Sequence, residues 1–317
     1  MNFETKIKLK TKLKRLENER IERRIYMNKR IIFHACDWDL NAITDNLETI
    51  ADMGFNYIQT SPVTPVKQEG YENWIKYQPT DLRIEENTKA KLIRLCKEAE
   101  KYSIKIVVDV VLRHLAGKDD GSLYPNEKCN PDIAGRPDFW LPAYSGYNAH
   151  NRDECTKKCW GMPSLNYFNH DLQDIYIKFL DELIECGVYS FRVDMAKHFA
   201  LPEEGCDFWT RVFGKYADRF CYGECIDLEQ YYLEMYSKYI AVLTEQMFHN
   251  DARLVTWVES HDTYHCFKTT RHMSANMRLM EWDILLSSHN NVLWFSRPFD
   301  TLFGDHRLKN INLKWRG

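Results

Sequence analysis

Short apolar runs that resemble β-strands alternate with amphipathic helical segments along most of this 317-residue chain. The run at 104–114, IKIVVDVVLRH, is apolar on both faces, as expected of a parallel strand covered by helices. Helical periodicity follows or precedes such runs at 41–54, 88–103 and 174–187. Eight strand-like runs are present, at 30–35, 55–62, 104–114, 189–198, 220–225, 239–245, 253–260 and 291–296. The alternation predicts an α/β fold, a (β/α)8 TIM barrel.

One connection is too long for an ordinary βα loop. After the third strand a stretch of roughly 55 residues is rich in Gly, Pro, Asn and Asp, which predicts a small inserted domain. The predicted organisation is an N-terminal basic helix at 1–29, an inserted domain at 115–163, and a barrel formed by 30–114 and 164–317.

The N-terminal segment is basic and has no apolar stretch of the kind that a signal peptide or membrane span requires. We therefore expect a cytoplasmic protein, whose ten cysteines are reduced thiols. Leu9, Leu13, Leu16, Ile21 and Ile25 recur at helical spacing, which favours a solvated helix with a docked apolar stripe over a nucleic-acid or membrane arm. The net charge of −3 gives no field that would recruit nucleic acid or membrane. The oligomeric state is not predicted.

Ionisable side chains lie near the ends of four predicted strands. In a barrel of this type the carboxyl ends of the strands form the active-site face. A lone aspartate at a strand end is more often a turn residue than a catalytic one. Several like charges on one rim cost stability through desolvation, so their presence together indicates a catalytic role. The side chains that we expect to converge are Asp109, His114, Arg192, Asp194, Glu224, His261 and Asp262.

The same strand ends resemble the four signatures of the alpha-amylase family of glycoside hydrolases. VVDVVLRH, FRVDMAKH, YGECI and WVESHD occur in the family's order, with further likeness in FNYIQTSPVTP, NWIKYQPTDLRI and MPSLN. The resemblance covers about residues 31–300. It implies that Asp194 is the nucleophile, Glu224 the acid/base and Asp262 a third acid. The substrate-binding residues that it implies are Tyr77, Asp109, His114, Arg192, Lys197, His198 and His261.

The period of two along a strand places Arg192 and Asp194 on one face, so the arginine can keep the carboxylate ionised. The resemblance implies a retaining hydrolase that cleaves alpha-1,4-glucosidic bonds in starch- or glycogen-type glucans or maltooligosaccharides through a covalent glycosyl-enzyme intermediate. Two alternatives stay open: a 4-alpha-glucanotransferase, and a non-catalytic carbohydrate-binding or scaffold relative or gene fragment.

No cofactor is expected to be required. Many family members have an Asn that binds structural calcium where this chain has Arg113, so the calcium site is either lost or replaced by the guanidinium. Asp119, Asp120 and Asp153 leave a calcium site elsewhere in the insertion open. Cys129, His150, Cys155 and Cys159 could in principle bind zinc, but we favour reduced thiols for these cysteines.

Two features of spacing shape the expected barrel. Only 37 residues separate Glu224 from Asp262, so we expect the sixth helix to be a single turn. The chain ends soon after the eighth strand, before an eighth helix is complete and without the C-terminal β-domain usual in the family. We expect the N-terminal helix to cover part of the apolar outside of strands 8 and 1.

Overall fold

Eight parallel strands close into a barrel in the order 1 to 8 in the computed structural model of the chain. The structure describes residues 29–68, 73–143, 148, 150–159, 161–245 and 248–297. The strands are β1 (Arg30–Ala35), β2 (Tyr57–Thr60), β3 (Lys105–Val110), β4 (Ser190–Val193), β5 (Tyr222–Glu224), β6 (Ala241–Leu243), β7 (Leu254–Trp257) and β8 (Asn291–Phe295). Pairing of β1 with both β2 and β8 completes the cylinder, and the predicted fold is confirmed.

Helices lie outside the barrel, between consecutive strands. They are α1 (Leu40–Asp45), α2 (Leu47–Asp52), α3 (Glu86–Glu100), α4 (Pro131–Ala134), α5 (Arg152–Lys157), α6 (His170–Glu185), α7 (Gln230–Ser237), α8 (His261–His265) and α9 (Ala275–Ser288). The helix expected at 41–54 is two short helices, with Asn46 between them. The Asn46 side-chain amide donates to the carbonyl of Ala42, 2.8 Å away, so this side chain competes with the helical backbone.

The sixth helix of the barrel is a single 3₁₀ turn, Asp251–Arg253, directly before β7. The expectation of one turn is confirmed for the residues that the structure describes between β6 and β7. It follows from length, because only ten residues, 244–253, connect the end of β6 to the start of β7.

Strand alternation divides the apolar side chains into two layers. Ile32, Val107, Tyr222 and Leu293 belong to a cluster that fills the barrel interior. Their chain neighbours, such as Val108, belong to the larger cluster between the strands and the helices. Side chains two residues farther along the same strands also face inward, toward the carboxyl-end rim.

Where the structure describes the chain between β3 and α6, it shows α4, α5 and isolated bridges instead of a sheet. The bridge between His114 and Ser164 ties its two ends together. The structure does not test the domain boundaries at 115 and 163, which stay predictions. Nearly all of the predicted N-terminal helix at 1–29, and the last 20 residues of the barrel segment, lie outside the described residues. No helix in the described ranges combines the length and the apolar character needed to cross a membrane.

Candidate active site

Arg192 lies at the centre of the inward-facing polar side chains. Its guanidinium donates from Nη1 to Asp109 Oδ1 at 2.9 Å and to Asp194 Oδ1 at 2.8 Å. The second terminal nitrogen, Nη2, lies 2.7 Å from Glu224 Oε1. The strand register explains this grouping, because Asp109 pairs with Arg192 across β3 and β4, and β5 lies on the other side of β4. Asp194 and Glu224 are therefore held by the two terminal nitrogens of one planar group.

Asp109 forms the buried floor of this cluster. Its side chain has 0% exposure, and its second oxygen accepts a 2.8 Å hydrogen bond from the Tyr77 hydroxyl. Burial raises the pKa of Asp109 to about 6, although the Arg192 charge and the Tyr77 hydrogen bond act in the opposite direction. Asp109 holds Arg192 from below and is too enclosed to reach a ligand.

Asp194 and Glu224 lie nearer the surface. Their side chains are 9% and 14% exposed. Burial raises the pKa of Asp194, Arg192 opposes that effect, and the charges of Glu224 and Asp109 add to it. Repulsion among the three carboxylates around one guanidinium adds to the rise in the pKa of Asp109 and of Asp194.

A strained backbone holds the second oxygen of Glu224. The N–H of Met195 donates to Glu224 Oε2 at 3.1 Å. Met195 has a φ of 50°, a left-handed conformation that is costly for a residue other than glycine. This turn lets the chain leave β4 immediately after Asp194 and present an amide to β5.

Two predicted histidines lie beside the cluster. His261 stacks on the Tyr77 ring with centroids 5.3 Å apart, and His114 Nε2 lies 2.8 Å from the Tyr77 carbonyl oxygen. Burial lowers the pKa of His261 to about 3, with the Arg192 charge adding to the effect, and burial lowers that of His114 to about 4. Both rings are therefore neutral near pH 7 and suited to hydrogen bonding.

Asp262 stands apart from the Arg192 cluster. It lies on α8, its side chain is 26% exposed, and its Oδ1 lies 3.7 Å from His261 Nε2. His261 also lines one cavity together with Arg192 and Glu224. Asp262 is therefore placed on the same rim, where its exposed oxygens can accept hydroxyl hydrogen bonds.

Lys197 and His198 follow Asp194 on a 3₁₀ turn, Ala196–His198. The Lys197 ammonium donates to the carbonyl of Ile226 at 2.7 Å. The His198 ring is buried, and its Nδ1 lies 3.1 Å from the Cys155 carbonyl oxygen. The structure thus places Lys197 beside the loop after β5 and turns His198 toward α5, away from the Arg192 cluster.

A second buried charge cluster was not foreseen. Arg297 donates to both oxygens of Glu259, at 2.7 and 2.8 Å, and Arg278 Nη1 is 3.4 Å from Glu259 Oε2. This cluster joins the loop between β7 and α8 to α9 and to the chain just after β8. Glu259 is part of the WVESHD motif, and its position shortly before His261 and Asp262 could have indicated that it lies near the site. Arg297 gave none, because its partner is 38 residues away.

Three further side chains inside the barrel were also missed. His34 packs edge-on against His261 at 5.3 Å, and the Tyr222 hydroxyl donates to Gln59 Oε1 at 2.8 Å. Alternation along β1, β2 and β5 could have assigned them to the interior. They form the polar lining beneath Arg192.

The residues around Arg113 do not fit a calcium ion. Arg113 is 2% exposed, and its guanidinium donates to the carbonyls of His198 at 3.0 Å, Thr156 at 3.3 Å and Lys158 at 3.0 Å. Oxygen atoms that could surround a cation therefore already bind one. Calcium needs six to eight oxygen ligands, and a guanidinium among them would repel it.

The other metal-ligand candidates do not converge either. Asp119 pairs with Lys67, Asp153 pairs with Lys157, and Asp120 accepts from the N–H of Ser122. The cysteines proposed as an alternative zinc site are free thiols. Within the described ranges, no three His, Cys, Asp or Glu side chains are grouped so as to hold a metal ion.

The pKa of Asp109 predicts how stability depends on pH. An unfolded aspartate loses its proton near pH 4, whereas folded Asp109 keeps its proton up to about pH 6. The folded state is therefore favoured by this group at low pH, and that advantage is lost as pH rises through 6. We expect wild type to lose about 1–3 kcal/mol of unfolding free energy relative to Asp109→Asn between pH 4 and 7.

Urea unfolding of both proteins at half-unit pH steps measures this difference. Asp218→Asn, a change at an exposed aspartate, is the control and should track wild type at every pH. A constant difference between wild type and Asp109→Asn over this range would show that Asp109 does not titrate there.

Comparison with known proteins identifies the family. The model of the alpha-amylase catalytic domain matches residues 28–213, more than half of the chain. An alpha-amylase of Clostridium acetobutylicum is 32% identical over 222 residues, which are 62% of this chain and 28% of that protein. An alpha-amylase of Butyrivibrio fibrisolvens is 26% identical, covering 84% of this chain and 34% of that protein. The chain belongs to the alpha-amylase family of glycoside hydrolases, and it spans about a third of the length of these curated relatives.

Solved structures share the fold at low sequence identity. The alpha-amylase of Geobacillus thermoleovorans in complex with acarbose superposes with a TM-score of 0.69 at 17% identity, covering 85% of this chain and 70% of that chain. Alpha-amylase I of Eisenia fetida gives 0.68 at 18% identity, covering 85% and 67%. Each of these superpositions covers a larger share of this chain than residues 28–213, which the family model matches.

Proposed function

We propose that this chain is a retaining glycoside hydrolase that cleaves alpha-1,4-glucosidic bonds in starch- or glycogen-type glucans or maltooligosaccharides. The observation that carries the proposal is the sharing of one buried guanidinium by Asp194 and Glu224. Retaining hydrolysis needs two carboxyl groups about 5 Å apart, one as nucleophile and one as proton donor. The alpha-amylase names of the curated relatives support the choice of glucan.

The first half of the proposed reaction forms a covalent intermediate. Glu224 gives its proton to the glycosidic oxygen, the bond from that oxygen to the anomeric carbon breaks, and an Asp194 oxygen bonds to the carbon from the opposite face. Arg192 orients Asp194, and its charge opposes the effect of burial on the pKa of Asp194, which favours the ionised nucleophile while positive charge develops on the sugar. Asp262 and the neutral rings of His114 and His261 bind sugar hydroxyls in this proposal.

The second half releases the sugar. Glu224, now a carboxylate, takes a proton from water as the water oxygen attacks the anomeric carbon, and the bond to Asp194 breaks. If a sugar hydroxyl enters instead of water, the same intermediate yields a longer glucan. Hydrolysis and transfer therefore differ in the acceptor and not in Asp194 or Glu224.

Product analysis after incubation with maltoheptaose tests the proposal. We expect only shorter saccharides from the wild-type chain and no change with Asp194→Asn. Longer saccharides would assign a glucanotransferase. Intact maltoheptaose with a folded wild-type chain would contradict catalysis and favour a carbohydrate-binding or scaffold role.

We also propose that Arg113 takes the structural place of a calcium ion, so that the chain needs no metal cofactor. We expect the melting temperature to be the same within about 1 °C in excess chelator and in millimolar calcium. Arg113→Asn should lower the melting temperature in chelator by several degrees, because about three carbonyl hydrogen bonds are lost.

Lys118→Asn, at a partly exposed neighbouring cation, is the matched control and should melt like wild type. A wild-type melting temperature that falls on adding chelator would contradict the replacement. Added calcium that raises the melting temperature of Arg113→Asn but not of wild type would support it further.

A further inference from the structure

The outward face of helix α9 is apolar and exposed. Met277, Met280 and Ile284 are 44, 68 and 62% exposed. Their spacing of three and four residues places them on one stripe of the helix. The opposite side of α9 is buried against the barrel through Arg278, Trp282 and Leu286.

A helix with apolar stripes on two opposite faces is typical of one that is covered on both sides. A surface helix of a soluble domain normally carries polar residues on its outer face. Single exposed apolar residues need no explanation, but three on the same face of one helix indicate an interaction surface. We call Met277, Met280 and Ile284 the outer stripe.

The chain enters the barrel at the end of α9. The ammonium of Lys29 donates to the carbonyl of Leu286, in the last turn of this helix. The next residue, Arg30, donates its N–H to the Asn290 carbonyl at 2.7 Å. Lys29 therefore lies at the carboxyl end of α9, so docking of segment 1–28 on this helix would be intramolecular.

The composition of segment 1–28 complements the outer stripe. Its leucines and isoleucines at helical spacing predict an apolar face that needs a partner. Its nine Lys and Arg against four Glu match the exposed acidic residues Glu281 and Asp283 that lie beside the stripe. As a helix, 28 residues would extend about 42 Å, twice the roughly 21 Å length of α9.

We propose that segment 1–28 docks on the outer stripe of α9. The expected position next to strands 8 and 1 is thereby refined to one helix face. Docking buries the leucine side of the segment and the outer stripe against each other. This inference does not depend on the proposed function.

Melting temperatures in a two-by-two design test the proposal. The change is Met280→Asp, made in the full chain and in a chain that lacks residues 1–28. We expect a fall of about 3–6 °C in the full chain, because a charge enters a buried interface, and less than about 1 °C in the shortened chain. Ile93→Asp, at an exposed apolar residue on α3, should shift both chains equally.

A second comparison covers the case in which the shortened chain does not fold. Leu13→Asp and Met280→Asp in the full chain should each lower the melting temperature, and the double variant should fall little further. Additive shifts would overturn the proposal, as would equal shifts of Met280→Asp in the two chains.

Gel filtration with mass determination separates docking from self-association. We expect the same monomer or oligomer mass for wild type and Met280→Asp. A wild-type dimer that Met280→Asp converts to a monomer would mean that a second copy covers the outer stripe and would overturn the proposal.

Discussion

Replacing Asp194 with asparagine is expected to lower hydrolysis of maltoheptaose by about 10⁴-fold or more, because an amide oxygen cannot form the covalent intermediate. The side-chain shape is kept, so Arg192 can still donate to the amide oxygen. The fold should therefore persist, with loss of one of the repelling charges in the cluster. Initial rates from reducing-end release, together with thermal unfolding of the same samples, measure the two effects.

Asp218→Asn provides the matched control, because this aspartate is exposed and precedes the amino end of β5, whereas the active-site face lies at the carboxyl ends of the strands. It should retain wild-type rates and stability. Rates for Asp194→Asn within tenfold of wild type would rule out Asp194 as the nucleophile. A collapse of the fold in Asp194→Asn would instead show that the carboxylate is required for stability.

Removing Arg192 is expected to damage both stability and activity. In Arg192→Met three carboxyl groups lose the cation that contacts all of them, and Asp109 is fully enclosed. Breaking a buried ion pair from one side costs about 3–5 kcal/mol, so a loss of this size in unfolding free energy is expected at pH 7. Activity should fall by about 10³-fold or more, since the nucleophile and the acid lose their common anchor.

A second substitution separates the two effects of Arg192. Adding Asp109→Asn to Arg192→Met removes one of the uncompensated carboxylates and should restore about 1–2 kcal/mol of unfolding free energy. Activity should stay low, because Asp194 and Glu224 remain unanchored. Urea unfolding and initial rates on the single and double variants give the comparison.

Arg94→Met is the control for loss of an arginine, since that side chain is 53% exposed on α3. It should change the unfolding free energy by less than about 0.5 kcal/mol. Arg192→Met with wild-type stability would show that the three carboxyl groups are protonated or solvated without the guanidinium.

Local sequence patterns were sufficient to predict the barrel and the rim. The strands are short apolar runs, and most are followed by a segment with helical periodicity, so the eight strands could be found one at a time. The shared face of Arg192 and Asp194 follows from alternation within one strand. The single turn before β7 follows from counting residues between Glu224 and Asp262.

The contacts that organise the site could not be predicted in the same way. Arg192 bonds Asp109, 83 residues earlier in the chain, and the register of β3 and β4 determines that contact. The partners of Arg113 are backbone carbonyls. Because every residue has a carbonyl, the sequence does not indicate which ones Arg113 binds. Packing against the inserted segment also turns His198 away, and alternation does not extend past the end of a strand.

The hydrogen bonds from Arg113 to the carbonyls of Thr156, Lys158 and His198 affect how this protein folds. An arginine is made with the chain and cannot be exchanged, diluted or stripped away by a competing ligand. If Arg113 replaces calcium, the contact between the insertion and the turn after β4 can form as soon as both segments have been synthesised. Its strength would then be the same whatever the mineral content of the surroundings.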